Sequence, residues 1–326
     1  MSEFPTLLDV IAARERISPH LNRTPLHHYR ALDELVGAEV WVKHENHHVM
    51  GAFKIRGALN VIAQLSDEEK SAGVVAASTG NFGQGMAYAA GIFGVDSVVV
   101  VPEGSNAGKV ESMRRLGARI VFHGSAFDEA REHADRLAKM EGRRYIHSAN
   151  EPGLVPGTGT YTLEIMEDLP DVDVIIVPIG GGSGACGACI VSKALNPKIQ
   201  VIGVQSVAAP AQYLSWKAGR VVEAPMETIA EGLATGSGYA DTLKIMTELL
   251  DDFILVSESE LDAAVVNHLT YTHNLTEHAG AASLAAAVKI KERLAGKKVA
   301  LIVSGGNITV DQLKSALARN SNNGSS

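Results

Sequence analysis

The sequence predicts an α/β protein whose parallel sheets are covered by helices on both faces. Three observations predict it. Short runs rich in β-branched residues recur along the 326 residues and are apolar throughout, the pattern of strands buried on both faces. Longer segments with helical patterning separate these runs, so successive strands are expected to run parallel through helical crossovers. Glycine is also in surplus, with 32 residues where an average usage of about 7% gives roughly 23.

The strand runs, in order, are Glu39–Lys43 (EVWVK), Val74–Ala77, Ser97–Val101, Arg119–Phe122, Val174–Pro178, Val201–Gln205 and Val299–Val303. The helical segments are Gly57–Leu65, Gly83–Phe93, Ala107–Leu116, Phe127–Glu141, Tyr161–Leu169, Ala185–Leu195, Glu260–His273 and Ala279–Leu294. Length alone suggests about two domains, and the strand–helix–strand–helix–strand block over residues 70–146 is a compact unit. It is followed by HSANEPGLVPGTG, which reads as a loop. The end, NSNNGSS at 320–326, reads as a disordered tail. No internal repeat is visible.

Composition excludes several function classes. At 46% hydrophobic and 20% charged residues the chain can bury a sizeable core. The net charge of −8, with no basic block, argues against nucleic acid or an anionic membrane surface as partner. The longest apolar runs fall far short of the roughly 20 residues a bilayer span needs. MSEFPTLLDV lacks the basic start and apolar stretch of a signal peptide. Two cysteines, Cys186 and Cys189, make no disulfide framework. These features point to a soluble, cytoplasmic, glycine-rich protein.

Three glycine-containing turns follow predicted strands, where open α/β sheets bind ligands. In PIGGGSGACG (Pro178–Gly187), consecutive glycines allow N–H groups to converge on an anion at a helix N-terminus; a tight turn is the plainer alternative. Gly182–Gly187 also spells G-x-G-x-x-G, but the acidic residue a dinucleotide site needs at the end of the next strand is Gln205, so phosphate is favoured over dinucleotide. In ASTGNFGQG (Ala77–Gly85), Ser78, Thr79 and Asn81 suit a carboxylate, with helix capping as the alternative. VSGGNI (Val303–Ile308) places the Ser304 hydroxyl at a strand's end. Lys54 lies between Phe53 and Ile55. Desolvation there would lower its pKa and make it a Schiff-base former and proton shuttle, although most lysines are simply solvated. His44–His48 matches H-E-x-x-H, but it follows a strand and runs into a glycine, whereas zinc proteolysis needs both histidines on one helix face. Cys186 and Cys189 form C-x-x-C without a second pair. Their thiols could be acidic near a helix N-terminus, but packing by small residues explains them better.

Taken in order, GAFKIRGALN, STGNFGQ, PIGGGSG and VSGGN resemble the lysine, substrate-carboxylate, phosphate and pyridine-contact motifs of the fold-type II pyridoxal-phosphate enzymes, whose fold is tryptophan synthase β-like. Within them the chain is most similar to the serine/threonine dehydratase and serine racemase group, from about Thr24 to Ile308. KHENHH falls on the segment preceding the lysine motif. The resemblance implies a two-domain α/β fold, with a large cofactor-binding domain from residues 1–69 and 147–326 and a small domain, 70–146, inserted in it. It implies pyridoxal 5′-phosphate in Schiff-base linkage with Lys54, beside Phe53. Gly180, Gly181, Gly182, Ser183 and Gly184 would cradle the phosphate, Asn81 the ring hydroxyl and Ser304 the pyridine nitrogen, with Gly232 and Glu277 on the rim. Ser78, Thr79, Asn81 and Phe82 would meet the substrate, with Lys54 and Thr79 as the catalytic pair.

The implied reaction is that of an ammonia-lyase (dehydratase): β-elimination of water from threonine, serine or a bulkier analogue such as phenylserine, giving a 2-oxo acid and ammonia. An amino acid racemase or β-replacement synthase is the alternative on the same scaffold. A silent amino-acid-binding protein has no need of Lys54, and a nicotinamide oxidoreductase lacks its acidic residue. The chain departs from the family pattern in four places. Thr79 stands where racemases carry serine, Phe82 replaces a histidine, and Ser183 replaces a glycine. Gln205, Ala209 and Ala211 stand where metal-dependent members carry acidic ligands, so no metal is expected there. A homodimer is the family's usual assembly, and the length leaves no room for the C-terminal regulatory domain of feedback-controlled relatives. Twelve of the 32 glycines fall in the four motif segments, where a backbone must approach cofactor or substrate closely.

Overall fold

A computed structural model describes residues 4–323, and in it ten strands build two sheets: β1 (Leu26–His28), β2 (Glu39–His44), β3 (Val74–Ala77), β4 (Ser97–Val101), β5 (Arg119–Phe122), β6 (Arg144–Tyr145), β7 (Val174–Pro178), β8 (Gln200–Ser206), β9 (Asp252–Val256) and β10 (Lys298–Val303). The larger sheet has the order β1-β2-β10-β7-β8-β9 and the smaller β5-β4-β3-β6. Every neighbouring pair is parallel except β1 with β2. The two ends of the chain meet in the larger sheet, where β2 and β10 pair from Glu39↔Lys298 to His44↔Val303.

The apolar runs are buried on both faces, as parallel sheet requires. On one face of the larger sheet Val42, Ile176 and Leu301 pack beneath the helix His278–Lys289. On the other, Ile175, Val177 and Ile302 pack against the helices Leu154–Asp168 and Ser183–Leu195. The helix Lys54–Ala63 shares a third apolar cluster with β3 and the helix Asn81–Ile92. The first turn carrying Lys54 therefore sits where the two sheets meet.

Several elements differ from the sequence expectation, each for a physical reason. β1 and β6, of three and two residues, are too short to carry a pattern, and β9 was not expected either. The predicted loop at 147–159 turns helical at Leu154. Pro156 falls in the first turn, where its missing N–H has no acceptor to lose. The glycines there serve a close helix crossing rather than a turn: a Cβ on Gly157 would lie 2.6 Å from the Arg56 carbonyl, and one on Gly187 2.6 Å from Gly159 Cα. The helix Val310–Asn323 includes residues 320–323 of the expected disordered tail; residues 324–326 lie outside the described residues. That helix is anchored by buried Ala316 and by Arg319, whose Nη2 donates to Asp262 at 2.9 Å. The predicted helix 279–294 is interrupted at Ile290. Among the described residues, no helix is long and apolar enough to cross a membrane.

Candidate active site

The carboxyl ends of β3, β7 and β10 and the start of the helix Lys54–Ala63 open on a cleft of about 1150 Å³. All the site residues expected from the sequence line it: Phe53, Lys54, Ser78, Thr79, Asn81, Phe82, Gly180 to Gly184, Gly232, Glu277 and Ser304. Local hydrogen bonds join the two motifs that are farthest apart in sequence. Phe53 N–H donates to the Ser304 carbonyl at 3.0 Å and Gly306 N–H to that of Gly51 at 2.8 Å, so the lysine loop is tied to the turn after β10.

Lys54 has no ion pair or hydrogen bond among the described residues, and its Nζ lies 4.9 Å from the centroid of the Phe53 ring. Desolvation lowers its pKa from 10.5 to about 8, because burial disfavours the ammonium form. About a tenth of such an amine is neutral at pH 7, against about three parts in ten thousand for an ordinary lysine. The rate at which cofactor-free protein takes up pyridoxal phosphate should therefore rise with pH through a midpoint near 8. Stopped-flow absorbance checks this, and a midpoint above 10 would mean a solvated lysine.

The loop after β7 has the features of an anion cradle. From Gly180 to Ala185, six successive N–H groups find no acceptor among the described residues, and Gly182, at φ 92°, caps the helix Ser183–Leu195. Side chains cannot enter here. A Cβ on Gly182 would stand 2.9 Å from Thr242 Cβ, and one on Gly184 3.1 Å from the Phe53 ring. Unpaired N–H groups at a helix N-terminus suit a phosphate, so the residues present fit the phosphate end of the cofactor.

The loop after β3 pairs some of its N–H groups and leaves others free. Ser78 Oγ accepts from the N–H groups of Gly80 (3.2 Å) and Gly83 (2.8 Å), the capping role. The Thr79 hydroxyl and the N–H groups of Thr79, Asn81 and Phe82 have no partner among the described residues. Asn81 is held at both ends of its amide: Nδ2 donates to Glu277 Oε1 at 2.6 Å, and Oδ1 accepts from Asn307 Nδ2 at 2.8 Å. Phe82 is buried and also belongs to the third apolar cluster. Burial pushes the Glu277 carboxyl up, opposed by Lys109 and by the Asn81 hydrogen bond. Ser304 presents a neutral hydroxyl, 3.4 Å from the Ala279 carbonyl.

Some contributors were not legible beforehand. Asn307 lies just past the VSGGN serine. Lys109, from the small-sheet side, forms an ion pair with Glu231 beside Gly232, and both line the cleft. The H-E-x-x-H string is accounted for by structure. Glu45 and His47 lie in a single 3₁₀ turn, and the Glu45 carboxylate is bound by Arg56 Nε at 2.7 Å and by His48 at 3.1 Å. Arg56 Nη1 also donates to Glu164 Oε1 at 2.7 Å, and Lys43 pairs with Glu164, all beneath the turn that carries Lys54. Cys186 and Cys189 are buried; burial pushes both thiols up, which removes the acidic-thiol alternative. Gln205 is engaged structurally, with Nε2 3.2 Å from Thr235 Oγ1 and Oε1 accepting from Tyr213 N–H at 3.1 Å.

Comparison with known proteins agrees with this geometry. The model of the family described as "Pyridoxal-phosphate dependent enzyme" matches residues 17–305. An L-threonine ammonia-lyase of Thermotoga maritima is 40% identical over 309 residues, covering 94% of this chain and 77% of that protein. A catabolic L-threonine dehydratase of Escherichia coli is 36% identical over 308 residues, covering 94% of each. Among solved structures, maize serine racemase superposes with a TM-score of 0.91 at 32% identity, covering 98% of both chains. The processed form of threonine deaminase isoform 2 from Solanum lycopersicum gives 0.91 at 30% identity, covering 96% of this chain and 92% of that one. With Lys54, the cradle and the hydroxyl at β10 gathered on one cleft, the chain belongs to the pyridoxal-phosphate-dependent enzymes of fold type II, in the lyase group of these curated relatives.

Proposed function

We propose that the cleft removes water from a β-hydroxy amino acid (threonine, serine or a bulkier analogue such as phenylserine) and yields a 2-oxo acid and ammonia. The observation that carries this reading is a desolvated, unpaired Lys54 amine on the same cleft as a free-N–H turn and an anion cradle. The cofactor, when bound, supplies an electron sink that acidifies the α-C–H of an amino acid.

The chain's own residues do the rest. The N–H groups of Thr79, Asn81 and Phe82, at the start of the helix Asn81–Ile92, hold the substrate carboxylate with the helix dipole behind them. Lys54 Nζ, neutral in useful amount near pH 7, takes the α-proton. As the Cα–H bond breaks, its electron pair forms the new double bond, the Cβ–O bond breaks, and the β-hydroxyl departs as water with the proton that Lys54 Nζ has just received. The released unsaturated amine then hydrolyses to oxo acid and ammonia. Ser304 would face the ring nitrogen of the bound cofactor with a neutral hydroxyl, which would make the cofactor a weaker electron sink than a carboxylate partner would. Phe82 gives the substrate pocket an apolar wall, the basis for including bulky side chains. The names of the relatives, threonine ammonia-lyases and dehydratases, support the reaction class.

The unpartnered Thr79 hydroxyl favours a second reading, racemisation, in which it serves a proton on the face opposite Lys54; serine racemase neighbours support it. A panel of threonine, serine and phenylserine in both configurations decides between the two. The leading reading expects equal amounts of oxo acid and ammonia from at least one substrate. It also expects Thr79→Ala to keep measurable turnover, with kcat/KM lowered by about 10- to 100-fold. Enantiomer interconversion without oxo acid would establish the racemase instead. The same reading takes the four-stranded sheet and its helices as an inserted small domain and a homodimer as the assembly.

A further inference from the structure

For the N–H groups of Gly180–Ala185 to face one anion, the carbonyls of the same peptides must face away from it. A peptide is planar, so the carbonyl of one residue and the N–H of the next point in opposite directions. Fixing one therefore fixes the other. Four successive carbonyls of the loop are held on the side away from the cleft. Thr242 Oγ1 donates to Gly181 O at 2.8 Å, Cys186 N–H to Gly182 O at 2.9 Å, Thr158 Oγ1 to Ser183 O at 2.9 Å, and Tyr161 OH to Gly184 O at 2.8 Å. These bonds orient the N–H groups of Gly182, Ser183, Gly184 and Ala185 in turn.

Three of the four anchors are side-chain hydroxyls from outside the loop. Thr158 and Tyr161 stand one turn apart on the helix Leu154–Asp168, and Thr242 lies on the helix Ala240–Leu249. All three are almost fully buried. Thr158 also has its own helix carbonyl, Val155 O, at 3.1 Å, so its hydroxyl is shared. Thr242 has only a longer second acceptor, Tyr239 O at 3.4 Å, and Tyr161 has Gly184 O alone. Burial pushes the Tyr161 phenol up, which keeps it protonated and a donor. Glycines adopt many backbone states at little cost, so a loop this rich in them needs external anchors to keep its peptide planes aligned.

We propose that Thr242 and Tyr161, assisted by Thr158, are positioning residues for phosphate recognition. They touch neither substrate nor cofactor; they pre-align the N–H groups that receive the phosphate. The inference rests on the pyridoxal-phosphate reading of the cleft.

The test compares two ligands that differ only in the phosphate. Full-length protein, resolved of cofactor, is titrated with pyridoxal phosphate and with pyridoxal, following absorbance. In Thr242→Val and Tyr161→Phe, the dissociation constant for pyridoxal phosphate is expected to rise about 10-fold while that for pyridoxal stays within about two-fold, and Thr242→Ser is expected to restore wild-type values. A parallel loss for both ligands, or no loss for either, would overturn the inference. The two variants sit on different helices, and Tyr161→Phe conserves shape, so one folded variant suffices. A wild-type protein that binds pyridoxal phosphate no more tightly than pyridoxal would instead overturn the cofactor reading itself.

Discussion

Replacing Lys54 by alanine is expected to lower turnover by about 10⁴-fold or more, because it removes both the amine that carries the cofactor and the base that takes the α-proton. Nothing else in the cleft can substitute. Among the described residues the one other lysine lining it is Lys109, and that amine is held by Glu231. Folding should not suffer, since the lost group has no ion pair or hydrogen bond to leave unsatisfied, and its removal ends the desolvation of an ammonium. Oxo-acid assays at saturating cofactor, beside thermal unfolding, check both halves. A Lys54→Ala protein retaining a tenth of wild-type turnover would contradict the assigned role.

The second large effect concerns stability. Arg56 is 1% exposed and forks onto two carboxylates. It donates to Glu45 at 2.7 and 2.9 Å, to Glu164 at 2.7 and 2.9 Å, and to Thr160 Oγ1 at 3.0 Å. Arg56→Met would leave the Glu45 carboxylate with only the Thr24 hydroxyl and His48, and Glu164 with Lys43, whose own ammonium is disfavoured by burial. Breaking one partner out of a buried ionic cluster strands charge in a low-dielectric site and costs about 3–5 kcal/mol. Urea unfolding should show that loss near neutral pH. The guanidinium beside Glu45 works against burial and holds this carboxyl well below its ordinary value of 4.5. A depressed carboxyl stabilises the fold at pH values above its unfolded pKa, and that contribution is lost as pH falls through the folded value. The variant should therefore show a shallower loss of stability in acid than the wild type. Unchanged unfolding at neutral pH would show that the cluster is not what secures the turn bearing Lys54.

The sequence was most informative where one physical requirement left one pattern. Strands buried on both faces must be apolar throughout, so β3, β4 and β7 were legible residue by residue. The turn after β7 was legible because only glycine allows the backbone so close to Thr242 and Phe53. Elements whose cause lies elsewhere in the chain were not legible. The helix from Leu154 looked like a loop because its Pro156, Gly157 and Gly159 are signals of turns, and only the crossing with Arg56 and Gly187 shows why they are helical. Residues 320–323 looked like part of a tail because the helix they end, Val310–Asn323, is anchored through Arg319 to Asp262, 57 residues away. Within the cleft, the residues that line it were visible and their supports were not. Thr158, Tyr161 and Thr242 carry no local signal, because a hydroxyl's partner on a distant carbonyl has no spacing to read. Arg56 stood inside the lysine motif, yet its partners, Glu45 and Glu164, could be joined to it only in three dimensions.

One measurement bears most directly on the central claim, that Lys54 carries the cofactor. The purified protein, saturated with pyridoxal phosphate, is reduced with borohydride, digested and mapped by mass spectrometry. A phosphopyridoxyl mass on the peptide containing Lys54, at about one per chain, with loss of the visible absorbance band, is the predicted result. Label on Lys109 or on surface lysines, with Lys54 unmodified, would contradict it.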